Sequence, residues 1–404
     1  MQQLSLFDIQ PKEKPKIELS ELFEAYFACR SNKRNTINAL AFEVDYESNL
    51  VKLCEEINNG TYQPGKSIAF IVNKPVQREI FAADFRDRVV HHLIINKLNP
   101  LFEKQFIYDS YACRTGKGTH LGIQRVTRFI RQCSQNYSKD CYILKLDIQG
   151  FFMHINKDIL FEKLIAFIHQ KYRHTDKALL LDLCQKVIFN DPTQNCIIKG
   201  KRSNWNGLPS DKSLFHSAPN CGLPIGNLTS QVFANFFINE FDHFVKHDLG
   251  IRCYSRYVDD FVLVHQDKEY LKSLIPVIKT YLQEQLYLTL HPKKIYLQHY
   301  SKGVKFLGVV LKPHRTYIAN RTKGNFYEAI EKQNEIAQDH KPTKDEQEKF
   351  LSSMNSYLGI MKHYNTYKLR KVILFKNLSG WWWNWTYLSG GMAKFVLKQK
   401  PAKR

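Results

Sequence analysis

The sequence predicts an α+β protein of two or three subdomains, in which antiparallel strands carry acidic residues and helical segments lie before and after them. Two short apolar runs, residues 253–257 and 261–264, flank Tyr257-Val258-Asp259-Asp260, so the two carboxylates fall at the tip of a β-hairpin. A second run, Cys141-Tyr142-Ile143-Leu144-Lys145-Leu146-Asp147, reads as a buried strand that ends on an acid. At 404 residues the chain is too long for one simple core.

Adjacent carboxylates at a tight turn repel each other, and an acid at the end of a buried strand is costly unless a cation faces it. A divalent metal relieves both costs, and hard oxygen ligands suit Mg²⁺, with Mn²⁺ as a substitute. Asp147, Asp259 and Asp260, from neighbouring strands, would clamp two ions roughly 4 Å apart, the geometry of in-line phosphoryl transfer. One ion would activate a 3′-hydroxyl and the other would stabilise the leaving pyrophosphate.

Composition narrows the partner. Lysine and arginine outnumber aspartate and glutamate 59 to 38, and the net charge of +21 points to a polyanion, most often nucleic acid. Nine cysteines without a Cys-x-x-Cys pair read as reduced thiols of a cytoplasmic protein, with neither a disulfide framework nor a zinc site. The first ten residues lack a signal-peptide pattern, and no apolar run has the length of a membrane span.

Helical patterning begins near Glu18 and returns over 46–58. A strand covers 65–72, and a basic turn at 73–79 leads into a helix over 85–98. Tyr111-Ala112-Cys113-Arg114-Thr115-Gly116-Lys117-Gly118-Thr119-His120 lacks the spacing of a phosphate-binding P-loop and reads as a basic turn against a template backbone, with an ordinary surface loop as the other reading. Residues 190–221 read as a long polar loop. Residues 222–227 form a turn, Ser230 caps the helix that follows, and Phe233, Phe236, Phe237, Phe241 and Phe244 line it as far as Gly250. Residues 306–311 read as a hairpin strand, and the remainder from about Lys323 is helical and basic. The tryptophans at 381–385 read as the packing face of a C-terminal helix, with stacking on single-stranded bases as the other reading, and 394–404 as a disordered basic arm that adds RNA affinity.

Five ordered motifs over roughly residues 25–375 resemble those of reverse transcriptases. They are Asp147 with Phe151-Phe152, residues 222–231, residues 257–260, His291-Pro292-Lys293-Lys294, and Phe306-Leu307-Gly308 as the primer grip. Within that superfamily, Ile225-Gly226-Asn227-Leu228-Thr229-Ser230-Gln231 is most similar to bacterial enzymes near the diversity-generating retroelement group and to those of antiphage defence systems. Retroviral and group II intron enzymes usually carry Gln-Gly and Ser-Pro at the two ends of this motif. Residues 85–92 and 355–359 fit the same bacterial branch.

The resemblance implies a right-hand polymerase: fingers, an antiparallel palm sheet with helices behind it, and a helical thumb. Its expected divisions are a flexible leader at 1–16, fingers at 17–140 and the first catalytic palm strand at 141–160. A fingers insertion at 161–221, palm at 222–313, thumb at 314–390 and basic tail at 391–404 complete it. Asp147, Asp259 and Asp260 would hold the metals with Ile148 beside them, and Lys294 would protonate the departing pyrophosphate, with Lys293 competing. Phe152 would lie under the sugar and exclude a 2′-hydroxyl. Lys74 and Arg78 would neutralise the triphosphate. Ile148, Ile225, Gly226 and Gln231 would border the nucleotide, Gly226 by letting the backbone approach the base pair. Arg88, Arg114, Lys117, Tyr257, Phe306, Leu307 and Gly308 would contact template or primer, with an ion pair to Asp84 or Asp87 as the other reading of Arg88. Ile225 stands where an amide side chain hydrogen-bonds near the sugar, which implies low fidelity.

The implied partners are dNTPs, a structured non-coding or template RNA and its cDNA, and an accessory protein or a second copy of the chain. Gln3-Leu4-Ser5-Leu6-Phe7 resembles a peptide that docks on the sliding clamp. Several roles remain open: cDNA synthesis in antiphage defence, mutagenic synthesis in a diversity-generating retroelement, and template-independent or protein-primed addition. An RNA-binding scaffold with a vestigial site is the reading from another class, and the intact acidic triad argues against it.

Overall fold

The computed structural model describes residues 16–31, 36–74 and 76–398, so the clamp-like peptide at residues 3–7 lies outside the described residues. Helices α1 (Leu19–Arg30), α2 (Ile37–Glu43) and α3 (Tyr46–Asn58) pack around α4 (Phe85–Gln105), burying Leu22, Ala25, Leu50 and Leu53. Asp84 caps α4 by accepting from the Arg86 N–H at 3.0 Å. That helix continues past residue 98 and through Pro100, because Leu98 and Phe102 extend its buried stripe.

Strands β1 (Ser67–Val72) and β2 (Arg78–Ala82) form an antiparallel hairpin. Helix α5 (Thr119–Cys133) buries Ile123, Val126, Phe129 and Ile130 on one face and leads to β3 (Tyr142–Asp147). Then come α6 (Phe151–His154), α7 (Lys157–Lys171) and α8 (Lys177–Phe189). The segment 190–221 is more than a loop. Its β4 (Cys196–Ile198) pairs in parallel with β1, a run of three residues too short to register as a period. Buried Glu79 ties the segment down, accepting from Trp205 Nε1 at 2.7 Å, the Ser213 hydroxyl at 2.8 Å and the Leu214 N–H at 2.6 Å.

Helices α9 (Leu228–Phe237) and α10 (Asn239–His243) run into a π turn over Phe244–Asp248. Ser230 lies inside α9 rather than at its cap; Asn227 holds that position, and its side chain accepts from the Ala83 N–H at 3.1 Å. Strands β5 (Tyr254–Tyr257) and β6 (Asp260–His265), helix α11 (Lys268–Leu286) and β7 (Tyr296–His299) complete an antiparallel sheet of order β5-β6-β3-β7. Alternation divides this sheet between two cores. Leu144, Leu146, Phe261 and Leu263 join the one containing α4 and α9, while Ile143, Val262 and Val264 join the one containing α5 and the C-terminal helices.

A second sheet comprises β8 (Val304–Phe306), β9 (Val309–Lys312) and β10 (Arg315–Ile318). Residues 306–311 are therefore not one strand: Leu307 and Gly308 make a turn at φ 48° and 85°. Helices α12 (Asn320–Asp339), α13 (Lys344–Met361), α14 (Tyr367–Asn377) and α15 (Gly380–Trp385) follow, then a hairpin of β11 (Thr386–Ser389) and β12 (Lys394–Leu397). The basic arm expected from residue 394 thus starts as a paired strand, since buried Phe395 donates its N–H to Asn355 Oδ1 at 2.7 Å. Trp382 is buried, stacks on Phe350 at 3.9 Å and donates to the Gln333 carbonyl, so this tryptophan packs rather than faces a ligand. Among the described residues no helix is long and apolar enough to cross a membrane.

Candidate active site

The β3–β6 register sets Asp147 directly opposite Asp260, and the Ile148 N–H donates to the Asp259 carbonyl at 3.2 Å. Three acids therefore meet at one end of the sheet. Between β5 and β6, Val258 sits at φ 58°, a strained conformation for a β-branched residue. Fully buried Arg256 restrains it. Its guanidinium pairs with Asp242 at 2.7 Å and donates to the Val258 carbonyl at 3.0 Å and to Asn235 Oδ1 and Ser110 Oγ at 3.1 Å. The Tyr254 hydroxyl donates to the same Asp242 at 2.6 Å.

Two lysines face the acids. Lys145 and Asp147 share one side of β3, being two residues apart. Lys145 Nζ lies 2.9 Å from Asp260 Oδ2, and Lys294 Nζ lies 2.8 Å from Asp147 Oδ1. Among the described residues the other oxygen of Asp260, Oδ1, is buried without a hydrogen-bond partner. Burial pushes the carboxyls of Asp259 and Asp260 up, each to about 6, and repulsion from Asp147 adds to both; in Asp260 the rise survives the pull of Lys145. Crowded hard-oxygen groups, one with an orphaned oxygen, fit divalent cations. Among the described residues no three His, Cys, Asp or Glu side chains are gathered into a ready metal cage. Lysines engage two of the three acids here.

A carboxyl with a native pKa above its unfolded value binds more protons folded than unfolded. The stability it contributes therefore falls as pH rises from the ordinary aspartate value of 3.8 through about 6. Asp260→Asn is expected to stabilise the metal-free protein at pH 7, by an amount of order 2 kcal/mol, and to do little at pH 4. Thermal unfolding at the two pH values checks this, and equal shifts at both would refute it.

Phe152 and Ile225 pack against one small cluster of Ala69, Phe81, Met153 and Leu214. Two main-chain bonds of 2.8 Å fix them there, from the Leu223 N–H to the Phe152 carbonyl and from the Phe81 N–H to the Ile225 carbonyl. Gly226 is required by β2: at φ 125° an added Cβ would stand 2.8 Å from Ile80 Cγ2 and 3.1 Å from the Phe81 carbonyl oxygen. Gln231 accepts from the Cys113 thiol at 3.0 Å. The Ile148 side chain is buried, leaving only its main chain to meet a ligand. Arg78 is exposed at the start of β2, and exposed Lys74 pairs with Glu328 of α12 at 2.7 Å. Tyr257 is half-buried at the end of β5.

Four expected nucleic-acid contacts are engaged within the protein. Buried Arg114 pairs with Glu103 at 2.8 Å and donates to the carbonyls of Ile107 and Ser110 at 2.6 and 2.8 Å. Lys117 donates to the Tyr108 carbonyl and lies 3.9 Å over that ring. Arg88 pairs with neither Asp84 nor Asp87; its Nε donates to the Ala83 carbonyl at 2.8 Å, while Asp87 accepts from the Tyr62 hydroxyl and the Gly65 N–H. Phe306 is buried in the core, which leaves Leu307 and Gly308 as the accessible part of that motif. Basic or aromatic type marks such positions, but local acceptors and packing claim them. Sequence reading missed Lys145, whose same-face spacing to Asp147 was available, and the pair Arg256–Asp242, which left no local signal.

Residues 73–311 match the family described as reverse transcriptase (RNA-dependent DNA polymerase). The chain is similar to Protein YkfC of Escherichia coli (strain K12), 21% identical over 290 residues that cover 63% of this chain and 69% of that one. It is also similar to nuclear intron maturase 1, mitochondrial, of Arabidopsis thaliana, 23% identical over 211 residues, 44% of this chain and 28% of the maturase. Among solved structures, apo telomerase from Candida tropicalis aligns at a TM-score of 0.48 and 12% identity, covering 77% of this chain and 56% of that one. Telomerase from Candida albicans with a fragment of telomeric RNA aligns at 0.44 and 11%, covering 82% and 64%. The chain thus spans about a quarter of the maturase and less than two-thirds of either telomerase chain. With more than half of its length matched by that family, the chain belongs to the reverse transcriptases, and its mixed architecture of helices and antiparallel sheets is that of a right-hand polymerase.

Proposed function

We propose that this chain is an RNA-directed DNA polymerase that copies a dedicated structured RNA into cDNA. The observation that carries the reading is the meeting of Asp147, Asp259 and Asp260 at one sheet end, with a buried carboxylate oxygen left unpartnered. These acids, with the main chain of Ile148, would hold two Mg²⁺ ions. When bound, the ions supply activation of the primer 3′-hydroxyl and charge stabilisation at the pyrophosphate.

The chain's own groups do the rest. Lys294 holds a proton for the leaving pyrophosphate oxygen. Arg78 and Lys74 balance the triphosphate charge, Lys74 on leaving Glu328. Phe152 closes the space a 2′-hydroxyl needs, and Ile225, Gly226 and Gln231 border the base pair. Tyr257 and the Leu307-Gly308 turn bear on the primer. Fingers would come from 17–140 and 161–221, palm from 141–160 and 222–313, and thumb from 314–390.

The role taken first is bacterial antiphage defence; residues 225–231 resemble the enzymes of those systems and those of diversity-generating retroelements alike. One observation favours a second reading, the mutagenic enzyme of a diversity-generating retroelement with a small basic accessory protein: Ile225 offers no hydrogen bond near the sugar. Sequencing the nucleic acid that copurifies distinguishes one dedicated transcript from altered copies of a template repeat. Extension of a DNA primer on an RNA template with dNTPs and Mg²⁺ tests the activity itself, and an absence of product on every template overturns it. Ile225→Gln is expected to lower misincorporation about tenfold, roughly 1.4 kcal/mol of added discrimination. Unchanged steady-state misincorporation would sink the low-fidelity account.

A further inference from the structure

Helix α5 has two faces. The inner one is core, and the outer one carries His120, Gln124, Arg128 and Arg131 along a groove of about 880 Å³. The opposite wall comes from His314 and Arg315 at the β9–β10 turn and from His363 and Asn365 in the α13–α14 connection. Among the described residues no aspartate or glutamate lines it, and it shares no lining residue with the acidic sheet end. Arg131 donates to Asn136 Oδ1 at 2.8 Å and Arg315 lies 4.8 Å from the Tyr317 ring. Among the described residues neither these two nor Arg128 has a carboxylate partner. Three exposed guanidiniums facing one groove repel one another unless an anion joins them.

The walls are also held in shape. Gln135, Asn136 and Tyr137 are three successive non-glycine residues in the left-handed region, at φ 48°, 61° and 69°, and His314 across the groove is at 59°. A side-chain-bearing residue is strained there, and the strain persists only where surrounding bonds impose it. They do: the Ser134 hydroxyl accepts from the Tyr137 N–H at 2.9 Å, and the Arg131 carbonyl accepts from the Asn136 N–H at 2.7 Å. Rings then tie the walls together, Tyr137 to His314 at 4.5 Å and His120 to His363 at 4.9 Å. The result is an anion-seeking groove preorganised by three separate parts of the chain.

We propose that this groove is a second nucleic-acid site, which seats the phosphodiester backbone of a folded RNA stem. The arginines match phosphates, and the amides of Gln124, Gln135 and Asn365 match 2′-hydroxyls, the two contacts by which double-stranded RNA is recognised. The choice of RNA rests on the polymerase reading above; the affinity for phosphate does not.

The test compares the full chain with its Arg128→Gln, Arg131→Gln, Arg315→Gln triple variant. A control carries Lys268→Gln, Lys272→Gln and Lys279→Gln on α11. Probes are a synthetic RNA hairpin and an RNA–DNA hybrid, titrated across salt concentrations. Loss of three phosphate contacts is expected to weaken hairpin binding at least tenfold at about 0.15 M salt, and to lower the salt slope by about 2–3. The α11 control should stay within about twofold, and the melting temperature and oligo(dT) extension on poly(rA) should be unchanged in the triple variant. An unchanged hairpin affinity and salt slope overturns the proposal, and so does a loss confined to the hybrid. If the parent binds hairpin through these arginines yet never extends a primer, the polymerase reading fails while the groove stands.

Discussion

Asp259→Asn with Asp260→Asn is expected to reduce primer extension by at least about three orders of magnitude, some 4 kcal/mol of transition-state stabilisation, while RNA retention stays within about twofold. The amide keeps the shape and removes the charge, so any effect reports on the carboxylates as ligands. Asp260 contributes one oxygen already paired to Lys145 and a second that is buried with no partner among the described residues; under the proposed reading that second oxygen is the one that would meet a cation. RNA retention should survive because it draws on a net charge of +21, of which two acids are a small part. Steady extension rates and filter binding on the same preparation decide the matter. Loss of both together would make the acids structural and remove the polymerase reading.

Asp242→Ala is expected to destabilise the protein by about 3–5 kcal/mol, because it leaves the wholly buried guanidinium of Arg256 without a counter-charge. The Tyr254 hydroxyl loses its acceptor in the same step. For a chain of this size the midpoint of thermal unfolding should fall by about 4–6 °C. Activity should fall further than stability accounts for, since Arg256 also holds the Val258 carbonyl at the strained tip next to Asp259. A variant within about 1 kcal/mol of the parent would show that the pair is not what anchors the tip.

The acidic end was legible because its signals are local. Short apolar runs at 141–147 and 261–264 mark both strands, and the acids stand at the ends of those runs, so pairing them antiparallel brings Asp147 to Asp260. The aromatic stripe of α9 and α10 was equally plain, as was the excess of positive charge. Which partner each charge takes was not legible. Lys294 reaches Asp147 from 147 residues away, Glu79 binds Leu214 across 135, and Arg114 is consumed by a glutamate and two carbonyls that no spacing rule connects to it.

By itself the sequence determined the strands, the acidic triad, the basic character and the membership in a polymerase class, all of which depend on residue type and short-range period. Only the tertiary structure decided that Lys145 and Lys294 sit on the acids, that Arg256 braces their hairpin, and that α5 turns a carboxylate-free groove outward. Hydrophobic period is written along one element and needs no partner to be read. Charge pairing and backbone strain depend on which distant atoms arrive within hydrogen-bond reach, and that is settled only when the elements pack.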